Sequence, residues 1–235
     1  MADSIVELCE NMSLMEGEQV GLCIHEDDTA DLRMMGGKCL VGRLLTERGV
    51  QKDAFRISMA KLWRAIGSVI FKELDDNLWL FEFASDRDKS RVEEGRPWLF
   101  DRSVLVLRDV DDHIPPTEMI FHHSPIWVQV HNMPLACMNR AVGFQIGGSM
   151  GVVEEVDVTG DGVGWGRCLR IRVAIDLTKQ LDRGRALIIQ GKSIWVKFRY
   201  EKLPSFCHFC GRIYHGRIIC EKKQGFRMND DDVRK

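Results

Sequence analysis

Between residues 38 and 110 the apolar positions switch repeatedly between strand-like alternation and helical spacing. Residues 39–45 (Cys-Leu-Val-Gly-Arg-Leu-Leu) predict a strand, and residues 53–65 a helix with Phe55, Met59, Leu62 and Ile66 on one stripe. Strands follow at 68–74 and 78–84, separated by the turn Asp75-Asp76-Asn77. Ser85-Asp86-Arg87-Asp88 has the pattern of a capping box, and the short helix it opens should stop at Gly95, before Pro97. A last strand covers 103–108. The order βαββαβ is that of a ferredoxin-like, RNA-recognition-like sheet. Its third strand sets Trp79, Phe81 and Phe83 on one face against Leu78 and Leu80 on the other. That strand lacks the Lys/Arg-Gly-aromatic opening of an RNA-recognition motif, so core packing or an inter-domain face is expected for its aromatics.

Residues 111–124 contain Pro115 and Pro116 and read as a linker. A second, smaller α+β unit then spans 125–203: a strand at 126–131, a helix at 138–146, and strands at 152–158, 168–177, 185–189 and 193–200. Gly160 to Gly166 is rich in glycine but lacks G-x-G-x-x-G, so a hairpin loop is expected there and not a phosphate cradle. In two strands apolar residues alternate with bases. If those strands paired, Arg170, Arg172, Lys197 and Arg199 would share one exposed face, as a phosphate track or as an ordinary solvated surface.

Composition changes this picture little. The 235 residues are 45% hydrophobic, enough for a core. No apolar run approaches the roughly 18–20 residues of a membrane span, and the N-terminus has no signal pattern. An intracellular, reducing location, nucleus or cytoplasm, is therefore expected, with no membrane partner. Charge changes the picture more. The net -2 averages an acidic arm, residues 1–35, against a basic body. From Arg167 to Lys223 there are 14 bases and 4 acids. Such asymmetry points to a nucleic-acid contact or an interaction tail.

Eight cysteines without a signal pattern favour metal over disulfides. Cys9, Cys23, Cys39, Cys137 and Cys168 are scattered and read as small buried or inert thiols. Cys207, Cys210, His215 and Cys220 instead form C-x2-C-x4-H-x4-C, three sulfurs and one nitrogen that suit tetrahedral Zn2+. Gly211 can supply the unusual backbone angles the turn needs. Four protein ligands leave no open position, so the ion would be structural, and it would supply the folding energy of residues 204–223. His208 lies inside the turn and is expected to point outward. Around the ligands, Phe206, Phe209 and Tyr214 could stack on bases, while Arg212, Arg217, Lys222 and Lys223 could meet phosphates. Residues 224–235 form a tail. His122, His123 and His131 have no acid or Cys at ligand spacing. The clustered carboxylates, Asp75-Asp76 and Asp230-Asp231-Asp232, fall in a turn and a tail, so no catalytic constellation is expected.

Several blocks carry a resemblance. Leu40-Val41-Gly42-Arg43-Leu44-Leu45, Lys61-Leu62-Trp63-Arg64, Leu80-Phe81-Glu82-Phe83 and Gly95-Arg96-Pro97-Trp98-Leu99-Phe100 resemble the plant "domain of unknown function 4283" family. Ile126-Trp127-Val128-Gln129-Val130 with Met133-Pro134-Leu135 is similar to the segment that follows it there, and the terminal Cys/His spacing to that family's zinc knuckle. The resemblance implies a plant protein related to the first-open-reading-frame product of LINE-type retrotransposons, expected to coat element RNA. Two features depart from it. Tyr214 stands before the histidine where many knuckles carry Gly, and 15 residues follow Cys220 where relatives often have long polar tails, which suggests a shortened or domesticated copy. The expectation is a non-enzymatic, zinc-dependent protein that binds single-stranded RNA or DNA. The alternative is a protein–protein interaction adaptor with a structural zinc clip, and self-association is open under either.

Overall fold

A computed structural model describes residues 21–215 and Cys220. The chain divides into residues 1–35 and residues 36–235. Ahead of the sheets a 3-10 turn at Glu26–Asp28 leads into helix α1 (Ala30–Gly36), and neither contains a buried residue. The expected arm also covers residues 1–20, which lie outside the described residues, as does the tail 224–235.

Residues 36–235 contain two antiparallel sheets, each with its own α+β unit. The first is built from β1 (Cys39–Leu44), α2 (Lys52–Trp63), β2 (Val69–Asp75), β3 (Leu78–Phe83), α3 (Asp86–Glu94), β4 (Trp98–Phe100) and β5 (Ser103–Asp109), with strand order β2-β3-β1-β5-β4. The split order with β1 and β3 at the centre is the ferredoxin-like arrangement expected. One element was not expected: Trp98–Phe100 pairs with Ser103–Leu105 across a two-residue turn, Asp101-Arg102, both at positive φ. Three residues next to a proline are too few to show a period, so the unit is βαββαββ and not βαββαβ.

Each face of this sheet is covered. Trp79, Phe81 and Phe83 lie under the helices and meet Phe55, Met59 and Trp63 in one buried cluster. The ring centroids of Phe55 and Trp79 are 5.0 Å apart, and those of Trp63 and Phe81 4.9 Å. The inward stripe of α2 is therefore 55/59/63. Leu62 and Ile66, expected on it, are exposed at 48% and 78%: Leu62 lies one position off that i, i+4 stripe, and Ile66 lies beyond the helix, which ends at Trp63 where Arg64 turns left-handed. The Ser85 side chain caps α3 by accepting from the Asp88 N–H. Asp88, itself buried, accepts from the N–H groups of Ile66 and Gly67 and so ties the end of α2 to the start of α3.

On the opposite face Val41, Leu78, Val104 and Val106 enter a second cluster, which continues through Phe121 into the other sheet. The stretch read as a linker is thus partly core: Phe121 is buried and lies under the Arg43 guanidinium, while Arg108 donates to the Ile120 carbonyl.

The second sheet contains β6 (His123–His131), α4 (Arg140–Gly148), β7 (Gly151–Asp157), β8 (Leu169–Asp176), β9 (Gly184–Ile189) and β10 (Lys192–Tyr200), in the order β7-β8-β6-β10-β9. Counted from its own first strand, this is the order of the first sheet. A register shift even recurs on the second strand of each, at Glu73/Asp75 and at Val153/Glu155. The second sheet also has five strands, so the second unit is smaller only in having one helix. That helix lies close on β7 and β8 through Gly143 and Gly147, where a Cβ would stand 2.5 Å from Val156 and 2.6 Å from Val153. The position of α3 in the first unit is taken here by the loop 177–183.

Candidate metal centre and nucleic-acid interface

The chain leaves β10 through a turn at Glu201-Lys202 and folds back on the second sheet. A bridge between Gln180 and Arg212, a Leu181 N–H donated to the Gly211 carbonyl and a Tyr214 N–H donated to the Leu177 carbonyl fix the knuckle to the 177–183 loop. Within it the Gly211 N–H donates to the Cys207 carbonyl and the Cys207 N–H to the Arg212 carbonyl. Gly211 has φ 77°, the left-handed conformation anticipated for the turn.

This turn gathers the four expected ligands. The donor atoms of Cys207, Cys210, His215 and Cys220 all lie within 4.8 Å of one another. The sulfurs of Cys207 and Cys220 are 3.7 Å apart, and Cys210 Sγ is 3.4 Å from His215 Nε2. Zn–S bonds of about 2.3 Å at tetrahedral angles require edges of about 3.8 Å, so the donor set fits Zn2+. Burial opposes a Cys207 thiolate, but the N–H groups of Cys210 and Phe209 and the side chains of His215 and Cys220 bring the thiol down to about 6. The ligand form is therefore available at neutral pH. Cys210, more deeply buried and beside the other sulfurs, is pushed up. His208 stands outside the ligand set, exposed, its ring 4.9 Å from that of Phe206.

The expected contacts of the knuckle divide. Phe206 and Phe209 are exposed at 36% and 46%, and Arg212 is exposed. Tyr214 is half-buried. With Ile213 it packs on the large cluster, because the residue before the histidine is used to dock the knuckle. Its outer side, with His215, lines an open cleft of about 510 Å³ that also meets Arg48 and Arg102. Arg217, Lys222 and Lys223 lie outside the described residues.

The four strand bases are brought to one sheet face, though by a different pairing from the one supposed. β8 and β10 are not neighbours. β6 lies between them, with Gln129 opposite both Arg170 and Arg199, and Trp127 opposite Arg172. Two of the four have been consumed by the fold. Arg170 makes ion pairs with Glu201 at 2.9 Å and Asp157 at 2.7 Å and lies 4.4 Å from the Trp127 ring centre. Arg172, 9% exposed, pairs with Glu154 and donates to the carbonyls of Glu94 and Glu93, capping the C-terminus of α3. Neither offers a charge to a phosphate, since β7 places carboxylates beside them that strand periodicity alone does not reveal. Lys197 and Arg199 are exposed and make no ion pair among the described residues.

The Gly160–Gly166 loop closes on itself: the Asp161 carboxylate accepts from the Thr159 hydroxyl and the Val163 N–H.

Comparison with known proteins agrees with this geometry. Residues 37–118, the first sheet and the start of the connection, match the model of the domain of unknown function DUF4283. Residues 175–222, from the end of β8 to beyond Cys220, match a zinc knuckle model. The chain carries both. An uncharacterized protein of Arabidopsis thaliana is 24% identical over 132 residues, which cover 54% of this chain and 40% of that relative. The match thus spans about two fifths of the relative's length. The knuckle, with Cys207, Cys210, His215 and Cys220 placed to hold a metal ion consistent with zinc, makes this a zinc-dependent binding module of a kind that commonly engages nucleic acid. No helix among the described residues is long and apolar enough to cross a membrane.

Proposed function

We propose that the protein is a non-enzymatic, zinc-dependent binder of single-stranded RNA or DNA, and that the retrotransposon descent implied by its resemblance is correct. The observation that carries this is the closed Cys3His set beside two exposed aromatics, Phe206 and Phe209, and an exposed Arg212. Bound zinc would serve as a structural cross-link. The chain's own residues supply the recognition: rings for unpaired bases, which every base can meet through its π-face, and guanidinium for phosphate. Among the described residues, Lys197 and Arg199 add exposed positive charge on the second sheet.

The test is filter binding of single- and double-stranded RNA and DNA at two salt concentrations, with zinc-loaded protein and with Cys207→Ser. Salt-dependent binding that prefers single strands and is weakened by the substitution supports the reading. Absence of salt dependence, or full binding by Cys207→Ser, overturns it. An interaction adaptor would instead keep its protein partner after nuclease treatment.

A further inference from the structure

The second sheet has α4 on one face, and among the described residues its other face is closed at the Arg172 end, where that side chain meets Glu154 and the carbonyls of Glu93 and Glu94. On the remainder, β10 carries Trp195, Lys197 and Arg199 at alternate positions, hence on the same side. Trp195 is 54% exposed, on the stretch of β10 that pairs with β9 alone, beyond the last β6 partner at Lys197. Its ring lies over Gly184 of the neighbouring strand, where a Cβ would come within 2.9 Å of two ring carbons. A side chain at 184 would push the indole off the sheet. With glycine there, the ring lies against the neighbouring strand and still leaves about half of the side chain exposed. The Asn132 side chain donates to the Trp195 carbonyl at 2.8 Å and holds the strand end in place.

Around this ring the field is positive. Lys197, Arg199 and Arg167 are exposed and have no ion pair among the described residues, although carboxylates neutralise Arg170 on the same face. His131, on β6 opposite Lys197, is held below the ordinary imidazole range by burial and then by the positive charges of Arg199 and Arg167. A half-exposed indole with three exposed cations in its neighbourhood, none of them in an ion pair among the described residues, matches one ligand chemistry: an unstacked base with phosphates on either side. A duplex keeps its π-faces stacked and could use only the cations.

We propose that this face is a second nucleic-acid site, in which Trp195 stacks one base of a single strand while Lys197, Arg199 and Arg167 hold the adjacent phosphates, and that it works without zinc. It goes beyond the knuckle reading and does not depend on it.

The experiment measures anisotropy of labelled twelve-residue oligo(dT) and oligo(U) with the full zinc-loaded chain, alongside Trp195→Ala, Trp195→Phe, the double substitution Lys197→Gln/Arg199→Gln, and Cys207→Ser. Loss of one stacked base predicts that Trp195→Ala weakens binding about 5- to 150-fold, with Trp195→Phe recovering most of it. Loss of two phosphate contacts predicts that the double substitution lowers the log–log salt slope by about 1.4. The same increments should persist on the Cys207→Ser background. Unchanged affinity in Trp195→Ala together with an unchanged slope overturns the proposal, as does equal loss of duplex binding in Trp195→Ala, or loss of a protein partner with normal oligonucleotide binding. Sensitivity to Cys207→Ser alone would leave the knuckle reading standing without this site, and sensitivity to Trp195→Ala and the double substitution alone would do the reverse.

Discussion

The two sheets share a strand order and part company over what covers them. The first carries two helices on one face and packs its other face into a cluster that runs on into the second sheet. The surface that an RNA-recognition domain of this topology uses for bases is therefore buried here. The second sheet has one helix, held close by glycines, and in place of the other a loop that carries the zinc knuckle. Its free face retains charged and aromatic side chains. One unit thus serves as a wall for the other. The fold resembles that of an RNA-binding domain, but the place where that likeness suggests binding is closed, and the available surface has moved one unit along the chain.

The sharpest way to break this comparison is to truncate aromatics that meet opposite fates in the two sheets. Phe81 is fully buried among Phe55, Trp63 and Phe71. Phe81→Ala should cost about 3–5 kcal/mol in urea denaturation with zinc present throughout. A loss below 1 kcal/mol would mean that the first core is loosely packed and that its likeness to the second is only topological.

A smaller effect separates the two ends of the open face. Arg172→Gln removes charge-assisted hydrogen bonds to the C-terminus of α3 and the pair with Glu154, and should cost about 1.5–3 kcal/mol. Arg199→Gln, on the same face, should stay within about 0.5 kcal/mol. Equal effects in thermal denaturation would contradict the division of that face into a closed and an open part.

The caps come next, and one of them carries a pH dependence. Ser85→Ala and Asn139→Ala should each cost about 1 kcal/mol, one in each unit. Asp88 gives the first unit something the second lacks. The N–H groups of Ile66 and Gly67 hold its carboxyl below the usual range. A depressed carboxylate contributes stability that is complete above its unfolded value, about 3.9, and is lost as pH falls through the folded one. The stability gap between wild type and Asp88→Asn should therefore be full at pH 6 and close as the pH drops below about 4, as read by denaturation midpoints. A gap that stays constant would assign the role of Asp88 to shape alone.

Much of this was legible in the sequence. The strand-and-helix order of the first unit, the alternation of Trp79, Phe81 and Phe83, the Ser85 cap and the four ligands all follow from local patterns, because each depends on residues a few positions apart. What escaped depends on distant partners. Periodicity places Arg170 and Arg172 on a face, but only the register with β7 and β6 brings Asp157, Glu154 and Trp127 against them. Tyr214 has the chemistry of a stacking residue, and its docking role is set by Leu177, 37 positions earlier. Trp195 shares the parity of Lys197 and Arg199, so its place on the basic face was readable, whereas the glycine beneath it belongs to the neighbouring strand. The repeated strand order was hidden too, since the second unit has no counterpart of α3 to mark it.

The smallest expected effect on stability tests the comparison most directly. Trp195 is as large as Trp79, yet half of it faces solvent and the rest lies on Gly184. Trp195→Ala should shift the denaturation midpoint by an amount equivalent to no more than about 0.5 kcal/mol, the ordinary range for surface positions. Proteins that keep a large indole on an open sheet face bear a solubility cost, since exposed aromatic surface invites aggregation. A side chain that adds so little to folding and carries such a cost fits the base contact proposed above. If Trp195→Ala instead lost several kcal/mol, the indole would be part of the core, and the second sheet, like the first, would have no free face.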